Sequence, residues 1–372
     1  MFTRDDLQKA KRIVVKLGTR VCLDAQSRLN GKVLCPLAEQ VMEFREAGVQ
    51  VILVSSGAVG MGREVLRLSG DGEHLPAKQA LAAIGQVGIM EGYRRVFGLF
   101  HVDVAQVLLT REDLTDRTRY LNMRNTLLAL LQYGVLPVIN ENDSVSTAEM
   151  RFGDNDNLAA LVGSLVSADV IINLTSVPGV LRPGPDGSDE VVDTIDSIGP
   201  EVEALDKGVT TSGGTGGLTS KLQAAAVAVR YGGAMIIAPA REPRILTRVL
   251  AGEKLGTLFV PAASPLPMRK RWLASGARPS GALQVDVGAA RALLDGEASL
   301  LAVGVTAVSG EFLPGDLVSV LDAEGREIAR GLCNYGADEA RRIMGLPSGK
   351  IAQVLGHSGY AELVHHDNLV LL

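Results

Sequence analysis

With 372 residues, the chain is long enough for two or more domains, because single hydrophobic cores stop growing near about 250–300 residues. Its formal net charge of −5 gives no overall positive field for nucleic acid or an anionic membrane, so any phosphate must be bound locally. The three cysteines form no C-x-x-C pair, the N-terminus is charged and no long apolar run occurs. We therefore expect a cytoplasmic protein without disulfides, membrane spans or protein-ligated metal.

Over the first 260 residues or so, short β-branched runs alternate with longer segments that carry apolar residues at helical spacing. The predicted strands are Arg12–Leu17, Val49–Val54, Val102–Leu108, Val135–Ile139, Val170–Leu174 and Ala234–Ala238. The predicted helices are Leu37–Ala47, Lys78–Phe97, Tyr120–Tyr133, Asn157–Ser167 and Lys221–Tyr231. This alternation predicts an α/β fold with a parallel sheet between helices, in which ligands bind beyond the carboxyl ends of the strands.

The composition changes near residue 262, where a Pro-rich segment and a basic cluster at Arg269–Trp272 indicate a linker. We predict a first domain at residues 1–262, a linker at 263–278, a β-rich domain at 279–358 and a tail at 359–372. The strands predicted for the second domain are Ala282–Val287, Leu301–Val308, Leu317–Leu321 and Glu327–Cys333.

Polar and glycine-rich segments follow the predicted strands of the first domain. Lys16-Leu17-Gly18-Thr19 closes the first strand, Ser55-Ser56-Gly57 the second, Asn140–Asp143 the fourth and Thr175-Ser176 the fifth. A strand-end lysine is usually solvated and a serine before a helix is usually a cap, so each segment alone is weak. Their repetition at one edge of the sheet predicts a ligand site there.

The segment Ser212–Lys221 has four glycines in five positions before a lysine that opens an Ala-rich helix. Glycines destabilise regular structure and allow backbone N–H groups to approach phosphate oxygens, so a phosphate-binding loop is favoured over a flexible linker. Because Ser220 separates Gly217 from Lys221, the segment is not a Walker A loop.

Two further clusters, Asn140–Asp143 and Gly153–Asn157, carry more acids and amides than a turn requires. Helix capping could explain Asp156 or Asn157, and Glu141 or Asp143 could be solvated. Together the clusters favour recognition of a ligand with an amino group and orientation of the lysines.

These motifs, in this order and spacing, closely resemble the bacterial glutamate 5-kinase family over about residues 10–260. The segment after residue 278 resembles the PUA domain that many of these kinases carry. The matching motifs are Val15–Thr19, Val54–Ala58, Tyr120–Asn122, Val138–Asp143, Phe152–Asn157 and the glycine loop that ends in Lys221.

The resemblance implies the amino-acid kinase fold, with an eight-stranded, mostly parallel sheet sandwiched by helices and a small β-rich PUA domain. It implies that Lys16 and Lys221 stabilise the transferred phosphoryl group, that Asp154 orients them, and that Mg²⁺ accompanies ATP. Glutamate would be held by Ser56, Asp143 and Asn155. The nucleotide would be bound by Lys16, Thr175, Ser176, Thr215, Gly216, Gly217, Leu218, Thr219, Ser220 and Lys221.

By the same resemblance, the chain phosphorylates the side-chain carboxylate of L-glutamate in the first step of proline synthesis. Proline would be an inhibitor, and the chain would form a homodimer or homotetramer. The family commonly has Thr-Asp and then Gly-Leu-Tyr after the fifth strand, where this chain has Thr175-Ser176 and later Gly179-Val180-Leu181, so that a carboxylate and an aromatic are missing. We expect nucleotide preference or affinity to differ for this reason.

Three alternatives to this interpretation remain open. A sister kinase would use another acceptor, and a pseudoenzyme would have lost the activity, although both lysines are present. An RNA-binding protein would act through the PUA domain. Residues 278–350 contain seven Lys or Arg against ten Asp or Glu, a net charge of −3, which disfavours RNA as a partner.

Overall fold

A computed structural model describes residues 2–68, 74–146, 155–184, 188–205, 217–263, 273–274, 279–296, 298–357 and 359–372. The chain divides into two compact units. Unit 1 comprises residues 1–114 and 118–266, and unit 2 comprises residues 115–117 and 267–372. The predicted linker at 263–278 lies mostly outside the described residues.

The strands before residue 267 are β1 (Arg12–Leu17), β2 (Gln50–Val54), β3 (Val104–Leu109), β4 (Leu136–Glu141), β5 (Val170–Thr175), β6 (Leu181–Pro183), β7 (Asp189–Val191), β8 (Thr194–Ile195), β9 (Ala234–Pro239) and β10 (Thr257–Phe259). The helices are α1 (Thr19–Cys22), α2 (Gly31–Glu46), α3 (Ala58–Leu66), α4 (Leu75–Gly98), α5 (Arg111–Thr115), α6 (Arg117–Gln132), α7 (Asn155–Val166), α8 (Pro200–Glu203), α9 (Leu218–Arg230) and α10 (Ile245–Leu250), with a 3₁₀ helix at Arg4–Lys9.

Eight of these strands form one sheet in the order β3-β4-β2-β1-β5-β9-β10-β8. All neighbouring strands are parallel except β9 and β10, which are antiparallel. The central strands are buried on both faces, as their continuous apolar sequences predict. The predicted eight-stranded, mostly parallel sheet with helices is confirmed.

Most predicted elements occur with boundaries shifted by a few residues. The strand predicted at Val135–Ile139 extends to Glu141, because the side chains of Asn140 and Glu141 are buried and Asn142 N–H bonds back to the carbonyl of Leu109 in β3. The helix predicted from Asn157 begins at Asn155, which puts Asp156 in its first turn.

The sheet in unit 2 has five strands in the order β12-β11-β13-β14-β15. They are β11 (Gly281–Val285), β12 (Val305–Gly310), β13 (Leu317–Leu321), β14 (Glu327–Leu332) and β15 (Leu369–Leu371), with helices α11 (Val287–Leu294), α12 (Ala337–Ile343) and α13 (Ile351–Leu355). The predicted β-rich second domain is confirmed. Its last strand comes from residues 359–372, which the sequence suggested as a tail.

No helix in the described parts of the chain is both long and apolar enough to cross a membrane.

Helices α3 and α4 approach each other at two glycines. A Cβ on Gly85 would lie 1.9 Å from the carbonyl oxygen of Ala58, and one on Gly62 would lie 2.0 Å from that of Leu81. Side chains larger than hydrogen are therefore excluded at both positions. The close approach fixes where α4 presents its buried face to the sheet.

We predict that Gly85→Ala destabilises unit 1 by about 1–3 kcal/mol, because the added methyl group overlaps the backbone of α3. Gly98→Ala is the matched control, since a Cβ added at this position, at the end of the same helix, would have no neighbour within 4 Å. It should be neutral or slightly stabilising. Urea unfolding followed by circular dichroism measures both, and equal midpoints for the two variants would contradict the prediction.

Candidate active site

Two buried lysines share one carboxylate at the carboxyl edge of the sheet. Lys16 Nζ lies 2.5 Å from Asp156 Oδ1, and Lys221 Nζ lies 2.9 Å from Asp156 Oδ2. Asn173 Nδ2 donates a further hydrogen bond of 2.8 Å to Asp156 Oδ1. Asp156 is fully buried, and the lysines are only 5% and 9% exposed. Among the residues that the structure describes, two ammonium groups thus share one carboxylate in a largely desolvated site.

The fold brings these charges together from three elements that are distant in sequence. Lys16 is the fifth residue of β1, and its partner across the ladder with β5 is Asn173. Asp156 lies in the first turn of α7, and Lys221 lies in the first turn of α9. The helices α7 and α9 pack against each other, so their first turns meet above the ends of β1 and β5.

The electrostatic environment keeps Asp156 ionised. Burial alone would raise the pKa of this carboxyl group, but the charges of Lys16 and Lys221 and their hydrogen bonds outweigh it. The pKa of Asp156 is therefore well below its usual range. The ionised carboxylate holds both ammonium groups at the carboxyl edge of the sheet.

A second group of polar residues surrounds the turn after β2. Asn155 Nδ2 donates to the carbonyl oxygen of Ser55 at 2.5 Å, to Ser56 Oγ at 2.9 Å and to Asn140 Oδ1 at 2.9 Å. Gly57 caps α3 with a φ of 100°, a left-handed conformation that favours glycine. The left-handed backbone of Gly57 and the hydrogen bonds from Asn155 therefore hold the turn that carries Ser56 in place.

Behind this turn, the hydroxyl of Tyr93 donates to Ser55 Oγ at 3.1 Å, and Cys22 Sγ lies 3.8 Å from the same oxygen. Burial raises the pKa of the Cys22 thiol, so it stays neutral. Cys22 and Tyr93 therefore support the turn.

A cavity of about 220 Å³ lies beside the turn, between the start of α3, the middle of α4 and the ends of β3 and β4. Its described lining residues are Ala58, Ala82, Ala83, Gln86, Val87, Gln106, Leu108, Glu141, Asn142, Asp143 and Ser144. The cavity offers acids and amides to a small polar ligand, as the sequence around residue 140 indicated.

The nucleotide-site residues predicted from sequence lie at the same edge where they are described. Thr175 is the last residue of β5, beside the end of β1, and Ser176 follows it. Gly217 is the N-cap of α9, with Leu218, Thr219 and Ser220 in the first turn. Because Gly217 has no side chain to cap the helix, the first-turn N–H groups face a position suited to an anion.

The structure brings together Lys16, Lys221, Ser56 and Asn155 around the β1, β2 and β5 edge, and Asp143 at the adjoining cavity. Asp154, Thr215 and Gly216 lie outside the described residues. Among the described residues, Asp156 joins both lysines. From sequence, helix capping was one explanation for Asp156, which was not selected as a site residue because the two lysines that it contacts are distant in sequence.

Asn140, Asn173 and Gln86 are also functional candidates that the sequence analysis did not select as site residues. Each is buried and hydrogen-bonded to a member of the site or to a residue that contacts it. Gln86 lies in a helix and Asn173 in a strand, and both have apolar neighbours in sequence. The only sequence signal for a function was a polar residue at a position where the pattern predicts a buried apolar one.

Family models match both units. Residues 11–238 match the model of the amino acid kinase family, and residues 281–355 match that of the PUA domain. The chain is 46% identical over 374 residues to a glutamate 5-kinase of Methylococcus capsulatus, with 100% of both chains covered. It is 45% identical to glutamate 5-kinases of Moorella thermoacetica, over 98% of this chain and 97% of that one, and of Thioalkalivibrio sulfidiphilus, over 100% and 99%.

We predict that Asp156→Asn destabilises the protein by about 3–5 kcal/mol at neutral pH, because two buried ammonium groups lose their counter-charge. Glu91→Gln is the control, since it removes the partner of Arg95 in an exposed pair on α4 and should cost less than about 1 kcal/mol. Chemical denaturation measures both.

The pH dependence of this difference has a defined sign. Because the folded-state pKa of Asp156 is lowered, its contribution is fully present above the unfolded pKa of about 3.9 and is lost as the pH falls further. The gap between wild type and Asp156→Asn should stay constant from pH 8 to pH 5 and narrow below about pH 4. A gap that is as small at pH 7 as that of Glu91→Gln would contradict the role of the carboxylate.

Proposed function

The chain belongs to the amino acid kinase family and, over its full length, to the glutamate 5-kinases within it; on this premise we propose that it transfers the γ-phosphoryl group of ATP to the side-chain carboxylate of L-glutamate. The products are L-glutamyl 5-phosphate and ADP, and the reaction is the first step of proline synthesis. The observation that supports this most strongly is the pair of buried lysines held by Asp156.

The reaction depends on cations placed near the transferred phosphoryl group rather than on proton transfer. An oxygen of the glutamate side-chain carboxylate attacks the γ-phosphorus, and the bond to the β,γ-bridging oxygen breaks, with its electron pair leaving on ADP. The carboxylate is already ionised at neutral pH, so no general base is required. Lys16 and Lys221 offset the repulsion between this carboxylate and the phosphates and stabilise the phosphoryl group in transfer.

The residues for ATP are the first turn of α9 and the segment after β5. The N–H groups of the first turn of α9 and the ammonium of Lys221 suit phosphate oxygens. Thr175 and Ser176 lie at the end of β5 on the same edge, without the carboxylate that relatives commonly have after this threonine. Thr215 and Gly216 remain part of the proposed nucleotide site.

Magnesium would accompany ATP rather than occupy a site built from these side chains. Asp156 already accepts from Lys16, Lys221 and Asn173, which disfavours it as a metal ligand. Mg²⁺ bound to the phosphates supplies positive charge to the nucleotide. Asp154 remains a further candidate for orienting the lysines.

Glutamate would lie between the cavity and the lysine cluster. Ser56 and Asn155 would hold it along the turn after β2, and the Asp143 carboxylate at the cavity would bind its ammonium group. The cavity volume of about 220 Å³ suits the amino-acid end of a small substrate.

We expect ATP- and Mg²⁺-dependent acyl phosphate, trapped as a hydroxamate with hydroxylamine, when L-glutamate is the acceptor. Lys221→Ala should lower kcat by about 10²–10³-fold, because it removes a cation that acts on the transferred phosphoryl group. Lys254→Ala, which removes an exposed lysine from the loop after α10, should keep wild-type activity.

Aspartate, N-acetylglutamate and UMP serve as rival acceptors in the same assay. Turnover of one of them in place of glutamate would contradict the proposed substrate and indicate a sister kinase. No turnover with any acceptor would indicate a pseudoenzyme.

We also expect proline to inhibit by competition with glutamate. Proline carries the ammonium and carboxylate that the cavity would recognise, but it lacks the side-chain carboxylate that accepts phosphate. Millimolar proline should raise the KM for glutamate and leave kcat unchanged. Initial rates over a matrix of both concentrations test this, and a glutamate KM independent of proline would contradict it.

A cytoplasmic location and a homodimer or homotetramer remain part of this proposal, since glutamate and ATP are cytoplasmic metabolites. RNA binding by unit 2 is the disfavoured alternative, because the excess of acidic residues in this segment opposes contact with phosphates.

A further inference from the structure

A chain of three amides, of which two are buried and Asn155 is half-buried, runs from the lysine side of the site to the cavity. Asn155 Nδ2 donates to Asn140 Oδ1 at 2.9 Å, and Asn140 Nδ2 donates to Gln86 Oε1 at 2.9 Å. Asn140 is 2% exposed and Gln86 is 7% exposed. The chain therefore links Asn155, at the turn after β2, to a glutamine of α4 that lines the cavity.

Backbone groups fix the direction of every amide in this chain. The carbonyl of Ser55 can only accept, so Asn155 must present its NH₂ group there. The N–H of Glu141 can only donate, at 3.0 Å, so Asn140 must present its oxygen to both Glu141 and Asn155. The NH₂ group of Asn140 then points to Gln86, whose Oε1 must be the atom that accepts the hydrogen bond.

These donor and acceptor directions leave the NH₂ group of Gln86 without a partner in the described part of the chain. Gln86 Nε2 is buried and makes no hydrogen bond to any residue that the structure describes. An unpaired buried donor is destabilising, and almost all such groups in native proteins have a partner. Since Gln86 lines the cavity, an acceptor on a ligand in the cavity would satisfy it.

The cavity contains acids but no described cation. Glu141 and Asp143 line it, whereas no lysine or arginine is among its described lining residues. A substrate carboxylate placed there must therefore be recognised by neutral donors. The amide of Gln86 is a buried donor of this kind, already oriented by Asn140.

The sheet order determines which end of the substrate reaches the cavity. The lysine cluster lies at β1, and the cavity lies at the ends of β3 and β4, on the far side of β2. Two strand spacings, about 10 Å, separate β1 from β4. With the reacting carboxylate at the lysines, the opposite end of an extended amino acid, with its ammonium and α-carboxylate, faces the cavity.

We propose that Gln86 is a specificity-determining residue whose Nε2 donates a hydrogen bond to the α-carboxylate of the amino-acid acceptor. The proposal rests on the proposed function and adds the group that recognises the non-reacting carboxylate. This role also explains why the polar side chain of Gln86 lies on the buried face of α4, next to Gly85, where α4 contacts α3.

The test compares L-glutamate with its α-amide as phosphoryl acceptors for the full-length wild type and for Gln86→Glu. In the Gln86→Glu variant, the new side chain at position 86 keeps an oxygen that accepts from Asn140 Nδ2, but a negative charge replaces the proposed donor. The ratio of kcat/KM for glutamate over the α-amide should fall by about 10- to 100-fold, because a charge-assisted hydrogen bond becomes a repulsion. The KM for ATP should stay unchanged.

Gln132→Glu is the control, because it places the same new charge on an exposed position of α6 and should leave the ratio at its wild-type value. If Gln86 only supports the fold, Gln86→Glu will slow both acceptors by the same factor, and the unchanged ratio will overturn the proposal. Wild-type protein that does not phosphorylate glutamate would overturn the proposed function as well, so the two failures are distinguishable.

Gln86→Met is a second variant in case the added charge prevents folding. Methionine has a similar volume and cannot donate a hydrogen bond. This variant should also lower the ratio, although by less than Gln86→Glu, because it adds no repulsion. A wild-type ratio in Gln86→Met would equally overturn the proposal.

Discussion

The site depends on one buried carboxylate that binds two buried ammonium groups. Without Asp156, Lys16 and Lys221 would be like charges close together in a desolvated environment, an arrangement that proteins avoid. With Asp156, the two ammonium groups are held close together before any ligand arrives. In the proposed reaction, an anionic phosphoryl group would meet both cations without the cost of assembling them at the moment of transfer. The sheet provides the geometry, because β1, β5 and the first turns of α7 and α9 meet at one edge.

The two ends of the site differ in how they bind charge. At β1 the described lysines are cationic, and in the proposed reaction they would face the phosphoryl group in transfer. At the cavity beside β4 the groups are amides and carboxylates, which suit an ammonium and a carboxylate that do not react. The chain from Asn155 through Asn140 to Gln86 connects these ends without introducing a further charge. In the proposed function, these amides and the Asp143 carboxylate would bind the amino-acid end of the substrate, and the lysines would act on the phosphate.

Much of the fold could be predicted from sequence, because buried parallel strands and amphipathic helices leave strong local patterns. Arg12–Leu17 and Leu317–Leu321 were predicted with the observed boundaries. The strand at Leu136–Glu141 was predicted too short, because the polar residues Asn140 and Glu141 continue it through buried hydrogen bonds.

Asp156 and Gln86 were left out of the site prediction because their contacts join segments that are distant in sequence. Lys16 and Lys221 were chosen from their positions at a strand end and after a glycine loop. Local sequence cannot distinguish Asp154 from Asp156, because the choice depends on the phase of α7 relative to β1 and α9. Gln86 lies in a helix whose apolar neighbours conceal it, and only the directions of three amides reveal its unused donor.

The central claim is that the lysine cluster holds the phosphoryl group during its transfer to a carboxylate. A crystal structure with ADP, Mg²⁺, aluminium fluoride and L-glutamate would test this most directly. We predict a planar fluoride between the ADP β-phosphate and the glutamate side-chain carboxylate, within hydrogen-bond distance of both Lys16 Nζ and Lys221 Nζ, with Asp156 still bound to both lysines. A fluoride that contacts neither lysine, or a glutamate whose side-chain carboxylate points away from it, would contradict the account.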